Sequence, residues 1–341
     1  MTSVLAGAIV VLKIRHSDAA GLRLRVIALG CALGMTAATA YAQGVPPEAI
    51  QQFQDVIGNR VEAVTIVGGD FGAAGGIYTF RGGTLATLTI TKLGGGGSVT
   101  AAKPLGESGL KWAPLLLGNL GQISTTNEFT DGYLQGNEMQ YDVLAAQLGG
   151  GIRLYLTEHA SAEASLSGIY GRVVNAFHPH NAVGDAVEGP ASGTFVDWEL
   201  DTWTIAPMVS GRYEWTWGRA LVGAQSRYTF FRTNTVASSS VVVDVAGTSQ
   251  TWDNRLDLDV PLGAHVLGRR LHTGGFFSRT ELIGGIADGL NEDHVYTLNG
   301  RLVLDYVGAL WLVRWIGLGV SWLRGDHVDG WTGGLDIALE F

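Results

Sequence analysis

The stretch TWDNRLDLDVPLGAHVLG, residues 251–268, alternates along its whole length. Trp252, Asn254, Leu256, Leu258, Val260, Leu262, Ala264 and Val266 share one parity, while Asp253, Arg255, Asp257, Asp259 and His265 take the other. Successive side chains of a strand point to opposite faces, so this reads as one strand with a greasy face and a charged face. It is far longer than the ~5–6 residues usual for strands of globular proteins. The charged face needs water or partners, and the apolar face needs lipid or a core.

The same pattern recurs along the chain. In TWTIAPMVSGRYEW, residues 202–215, Trp203, Ile205, Val209, Tyr213 and Trp215 oppose Arg212 and Glu214. In HVYTLNGRLVLDYVG, residues 294–308, Leu298, Leu302, Leu304 and Tyr306 oppose Thr297, Asn299, Arg301 and Asp305. WIGLGVSWL, residues 315–323, sets Gly317, Gly319 and Ser321 against large apolar neighbours, which makes room on the inner face. Pro207, lacking an N–H, predicts a bulge. Strands are expected at 61–70, 76–92, 110–122, 138–156, 160–175, 201–216, 219–232, 251–267, 276–287, 294–310, 313–323 and 331–341.

Tight links near Glu158-His159, Trp217-Gly218 and Leu310-Trp311 alternate with long ones, such as residues 177–199 and 233–250. Short turns on one side and long loops on the other are the pattern of an outer-membrane barrel. The link GGGGSVTAAKPLGESG departs from it, being long on the short side. Trp215, Trp217, Trp311 and Trp315 fall near the expected periplasmic turns, and Trp198, Trp203, Trp252, Trp322 and Trp331 near the opposite ends, as two aromatic girdles would. The expected fold class is all-β: a twelve-stranded antiparallel transmembrane β-barrel.

Composition agrees. Charged residues make up 16% of the 341 residues, against a typical ~25% for soluble chains. No run of ~18 apolar residues follows the N-terminal region, which leaves spanning to strands. Lys13, Arg15, Arg23 and Arg25 precede the apolar run VIALGCALGMTAATAYAQ, which closes with Ala40-Tyr41-Ala42 before Gln43. Residues 1–42 are therefore expected to be a secretory signal peptide. The leader is long, and the true translation start is read downstream of Met1. Cys31, the only cysteine, falls inside it, so no disulfide is expected in the mature chain. Without the leader, 18 basic residues face 30 acidic ones, a net charge of −12. That balance argues against nucleic acid, whose phosphates demand a basic footprint.

Between leader and barrel lies GVPPEAIQQFQDVIGNR, residues 44–60. Pro46 and Pro47 suit a helix start and Gly58 a stop. Ile50, Phe53, Val56 and Ile57 give it an apolar stripe, read as the packing face of a helix threaded into the lumen, residues 43–60, ahead of a barrel at 61–341.

A lumenal helix followed by twelve strands, closing on GGLDIALEF, resembles the translocator domain of autotransporters, and with the leader set directly against the helix, the solitary outer-membrane autotransporter-like barrels. The resemblance implies a barrel-assembly signal at Gly333, Leu335, Ile337, Leu339 and Phe341. It also implies partners: outer-membrane lipids, with the barrel-assembly machinery and periplasmic chaperones during biogenesis, around a monomer in the outer membrane of a Gram-negative bacterium. Some relatives cut themselves at an Asn-Asn pair; here Asn59 is followed by Arg60, so no self-cleavage is expected.

Three groups of residues carry side chains of chemical interest. His159 and Ser161 share a parity as in outer-membrane lipid hydrolases, where an imidazole activates a hydroxyl, but they sit at an expected turn. His178, His180 and Asp185 lie in one long loop, and the loop acids Asp288, Glu292, Asp293, Asp326 and Asp329 could gather a cation, but neither set has the scaffold a metal needs. No enzyme activity, metal or cofactor is expected. The lumen-lining charges Arg212, Glu214, Asp253, Arg255, Asp257, Asp259, Arg301 and Asp305 are the better functional candidates. Their mixed sign favours internal pairing over a selective pore, whose rings carry one sign. The expected protein is a barrel plugged by its own helix, with an open diffusion channel or a lipid-modifying enzyme as alternatives.

Overall fold

The computed structural model describes residues 4–8, 47–69, 76–81, 85–98, 102–106, 108–129, 135–310 and 313–339. Among the described residues, twelve long strands follow one another: β1 (Gly76–Arg81), β2 (Leu85–Ser98), β3 (Lys111–Glu128), β4 (Glu138–Tyr155), β5 (Ala160–His178), β6 (Glu199–Trp217), β7 (Ala220–Ser238), β8 (Ala246–Val266), β9 (Arg269–Gly284), β10 (His294–Leu310), β11 (Val313–Arg324) and β12 (Val328–Leu339). Each pairs antiparallel with its neighbours, and β12 pairs with β1 from Val328↔Phe80 to Trp331↔Ile77, so the ring closes. Closure leaves no free sheet edge there. Residues 4–8 form a further short strand between β12 and β2 below β1, with Leu5 opposite Ile337 and Gly95.

Strands of 18 to 21 residues, tilted as barrels require, rise by about 40 Å or more, beyond a ~30 Å hydrocarbon layer. The excess stands on the side of the long links. Outward residues Leu120, Leu148, Leu166, Val209, Leu256, Leu302 and Leu318 are large, apolar and exposed. A surface like that belongs against lipid. The inward parity carries Asn, Thr, Ser, Gly and the charges.

The short turns stay tight. Leu267 and Gly268, both with positive φ, make a two-residue connection between β8 and β9. Pro207 faces outward without a register shift; in the β6–β7 pair the irregularity lies at Asp201/Thr202. A bulge does fall after Pro261, between Pro261 and His265. The glycine run 94–97 belongs to β2, pairing with β3, which shortens the odd periplasmic link.

The N-terminal helix is longer than expected. Helix α1 spans Pro47–Gly69, so the segment 61–70, read as a first strand, is helical, and the barrel begins at Gly76 rather than at residue 61. The count of twelve survives because residues 76–92, read as one strand, divide into β1 and β2. VEAVTIV carries β-branched residues that lean toward strand. Inside a lumen, however, a single segment has no neighbouring strand to bond, and a helix satisfies its own backbone.

Among the described residues, two further helices sit on the long links: α2 (Ala182–Ala191), capped by the Asn181 side chain, and α3 (Gly285–Leu290). The links fold inward as a cap. Phe195, Val196, Trp198, Val242, Val243 and Val245 pack with Phe129, Tyr141 and Phe177 of the barrel rim, and with Ile57 and Val61 of α1. Trp198 is therefore buried in this cap and does not belong to the outer girdle, whereas Trp203, Trp252 and Trp331 stand exposed on the outer face.

Candidate functional site

The site is the lumen, and α1 fills its outer half. Val61, Glu62, Ala63, Thr65 and Ile66 are almost wholly buried. Ala63 and Ile66 meet Ala145, Ile169, Ala206, Phe231 and Leu282 on the barrel wall, and Ile286 and Ala287 of α3. Of the expected packing stripe, Ile57 is buried; the side chains of Ile50, Phe53 and Val56 lie outside the described set.

Three polar contacts fix the helix at successive heights. Near the mouth, Ser249 Oγ on β8 donates to Glu62 Oε1 at 2.9 Å and accepts from the backbone N–H of Ile286 at 2.7 Å. Glu62 Oε2 is buried without a partner and lies against Gly247 and Gly285, where any Cβ would collide with it. Halfway down, Thr65 Oγ1 and Thr202 Oγ1 are 3.5 Å apart, beside Gly171, whose absent side chain leaves room for Thr65. At the lower end, Asn119 Nδ2 donates to the carbonyls of Gly68 at 3.1 Å and Gly69 at 2.8 Å. Those carbonyls belong to the last turn of α1, which lacks intrahelical partners, so Asn119 acts as a cap supplied by the barrel wall. A side chain at Gly69 would drive into Ile169.

Below Asn119 the wall carries the charges. Arg153 pairs with Glu163 at 2.5 Å, and Ser210 donates to Glu163. Arg212 binds Glu214 at 2.7 Å and reaches Asp257 at 3.2 Å. The strand between them, β7, places Gly223 under that bridge, where a Cβ would stand 2.8 Å from Arg212 Nη2. Arg255 binds Asp257 at 2.5 Å and stacks over Phe276, 3.6 Å from the ring centre. His272 stands between Asp259 at 2.9 Å and Asp305 at 3.2 Å. Asp253 accepts from Thr280 at 2.7 Å, and Arg301 lies opposite Gly274 and Gly319. The eight charges read from the sequence are thus on the inward parity, and their recorded bonds are to one another and to the wall.

Other sequence candidates separate. His159 is exposed at its turn with its ring 6.2 Å from that of outward-facing Tyr213, while Ser161 lies on the inward parity across from Arg212. His178 bonds Gln140 at 3.2 Å and His180 approaches Glu138 at 3.7 Å, and Asp185 belongs to α2. No group of three or more metal-ligating side chains forms among the described residues. Glu292 ties two outer links together, accepting from the backbone N–H groups of Asp326 and His327; burial pushes its carboxyl above the usual range despite those bonds. At the C-terminal end, Gly333 pairs with Val320, Leu335 with Leu318, Ile337 with Ile316 and Leu339 with Val313, and Phe341 lies outside the described residues.

A lipid-faced ring of twelve strands around a lumenal helix defines an outer-membrane translocator-type barrel. The chain belongs to the solitary outer membrane autotransporter β-barrel domain family, whose model matches residues 103–333. Its fold is similar to the β domain of the Bordetella autotransporter BrkA, at 16% identity and a TM-score of 0.50, over 78% of this chain and 99% of that one. It is similar too to the transport unit of the autotransporter AIDA-I from Escherichia coli, at 9% identity and a TM-score of 0.52, over 78% and 88%. No curated protein matches it by sequence. The protein is therefore a barrel of the bacterial outer membrane.

Proposed function

We propose that this protein is a self-plugged outer-membrane barrel whose resting state does not conduct, and whose pore becomes available only when α1 leaves the lumen. One observation carries this reading: the last turn of α1 is capped by Asn119, a residue of the barrel wall, in the middle of the lumen. A helix lying on the rim would find its cap in water.

Residues 1–42 are read as a signal peptide removed on export. Cleavage there takes the 4–8 strand out of the seam, leaving β12 and β2 joined through β1 alone. The C-terminal residues Gly333, Leu335, Ile337, Leu339 and Phe341 are read as the segment recognised by the barrel-assembly machinery, after delivery by periplasmic chaperones. The protein works as a monomer without cofactor and without enzymatic activity: the polar wall below the helix is spent on internal charge pairs, and His159 and Ser161 face apart.

Planar-bilayer recording of residues 43–341, beside a variant lacking residues 47–69, tests this. Silence from the first and steady current from the second are expected. Equal currents from both would favour an open diffusion channel. Silence from both folded proteins would mean that the charge layer itself closes the lumen.

A further inference from the structure

Helix α1 carries a carboxyl into the part of its seat where β8 and α3 meet, at the outer mouth among the long links. Glu62 is 0% exposed there. Ser249 has one proton to give: its Oγ accepts from the N–H of Ile286 and donates to Glu62 Oε1. Glu62 Oε2 is buried with no partner and points at Gly247 and Gly285, where a Cβ would stand 2.0 and 2.2 Å from it. The side-chain oxygen of Asn59 reaches the same place, 3.2 Å from the Cβ position at Gly285. An ionised carboxylate offers about four acceptor sites. This one meets a single donor, with the negative end of an amide beside it.

No counter-ion offsets the charged form among the described residues. The titratable groups on the elements packed around Glu62 are engaged elsewhere. Asp253 on β8 accepts from Thr280, and Arg279 and Glu281 on β9 bond each other on the outer face. Asp244, just before β8, and Asp288 of α3 are exposed, and Glu292 beyond α3 accepts from Asp326 and His327. On α1 itself Asp55 bonds Gln51, and Arg60 makes no recorded ion pair with Glu62. Burial of a carboxyl without a cation favours its neutral form. Burial lifts Glu62 from its ordinary 4.5 to about 7, against a smaller downward pull from the Ser249 bond.

Taking α1 as a removable plug, we propose that Glu62 is its proton-operated latch: the helix stays seated while this carboxyl is protonated, and loss of the proton releases it from the lumen. The seated helix holds the proton more tightly than a helix in water does. The seat is therefore firmest below about pH 4.5 and weakens as pH rises through about 7. Above that, leaving the lumen restores the solvation that an ionised Glu62 lacks in its seat.

The test is thiol labelling of T65C in residues 43–341 refolded into lipid vesicles, from about pH 5 to about pH 9. Thr65 is buried one turn further along α1. Each rate is divided by that of V241C, whose site on an outer link is 77% exposed, which removes the titration of the thiol itself. The relative rate is expected to rise roughly 50- to 100-fold across that range with Glu62 present. It should stay level in E62Q/T65C and in E62M/T65C, the second of which covers the case in which a buried amide prevents seating. A rise that survives both substitutions, or slow labelling at every pH with Glu62 present, would overturn the latch and leave the plug standing. Labelling of T65C as fast as V241C at every pH would place α1 outside the lumen and remove latch and plug together.

Discussion

Above Asn119 the lumen holds a helix; below it, a layer of charged side chains. The outer half is buried and close-fitting, with glycines at 68, 69, 171, 247 and 285 letting α1 approach the wall, and its polar contacts are hydrogen bonds to hydroxyl and amide groups. The inner half is built from the strands alone, and its arginines and carboxylates bond each other. The two halves use glycine for opposite ends. Gly69 admits the backbone of a helix against the wall, whereas Gly223 admits an arginine crossing over its own strand. The charges and the plug are thus separate devices, and the mixed sign of the wall is satisfied without the helix.

This division orders the expected effects. Gly69→Leu should be the most severe, because its side chain meets packed Ile169 and overpacking costs ~3 kcal/mol or more in a site without slack. Steady bilayer current is the expected readout, and a folded, silent G69L barrel would break the comparison. Ser249→Ala comes next. It strips the one recorded hydrogen bond from buried Glu62 and the acceptor from Ile286, a loss of about 2–3 kcal/mol. Hydrogen exchange along residues 57–66 should then accelerate by one to two orders of magnitude. Asn119→Ala should cost about 1–2 kcal/mol and be felt only at the lower end of α1, in faster exchange at residues 66–69.

Changes in the charge layer should be mildest for the plug. Asp257→Asn weakens the bridges to Arg212 and Arg255 by roughly 1 kcal/mol in this partly wet layer. It should leave α1 exchange unaltered. In a barrel lacking residues 47–69 the same substitution should shift the reversal potential toward anions, since it removes a carboxylate from the pore wall. A D257N protein with a loosened helix would show that the two halves are coupled after all.

Much of the barrel was legible because period-two alternation over ten or more residues has few other meanings. The strands β3 to β12 all fall where expected, but β3 and β7 run six residues further toward the long links, β8 starts five residues earlier, and β9 starts at Arg269 rather than residue 276; the inward parity of Arg212, Asp257 and Arg301 follows from counting. The extent of α1 was not legible. VEAVTIV shows no apolar stripe because the lumen encloses the helix on all sides, which removes the amphipathic signal that marks a surface helix. Nor were its anchors. Asn119 is a lone amide among leucines, and Ser249 lies 187 residues from Glu62. Trp198 was misassigned because an aromatic residue beside a strand end reads the same in a girdle and in a loop core.

The measurement that tests the central claim most directly is a cysteine cross-link between Thr65 and Thr202, whose hydroxyl oxygens lie 3.5 Å apart. With residues 1–42 removed the protein has no other cysteine. Mild oxidation of T65C/T202C in outer-membrane vesicles should join α1 to β6 rapidly and nearly completely, within the short Cβ separation a disulfide requires, and a bilayer recording of the cross-linked protein should stay silent. Failure to cross-link in a folded barrel would place α1 outside the lumen and contradict the account.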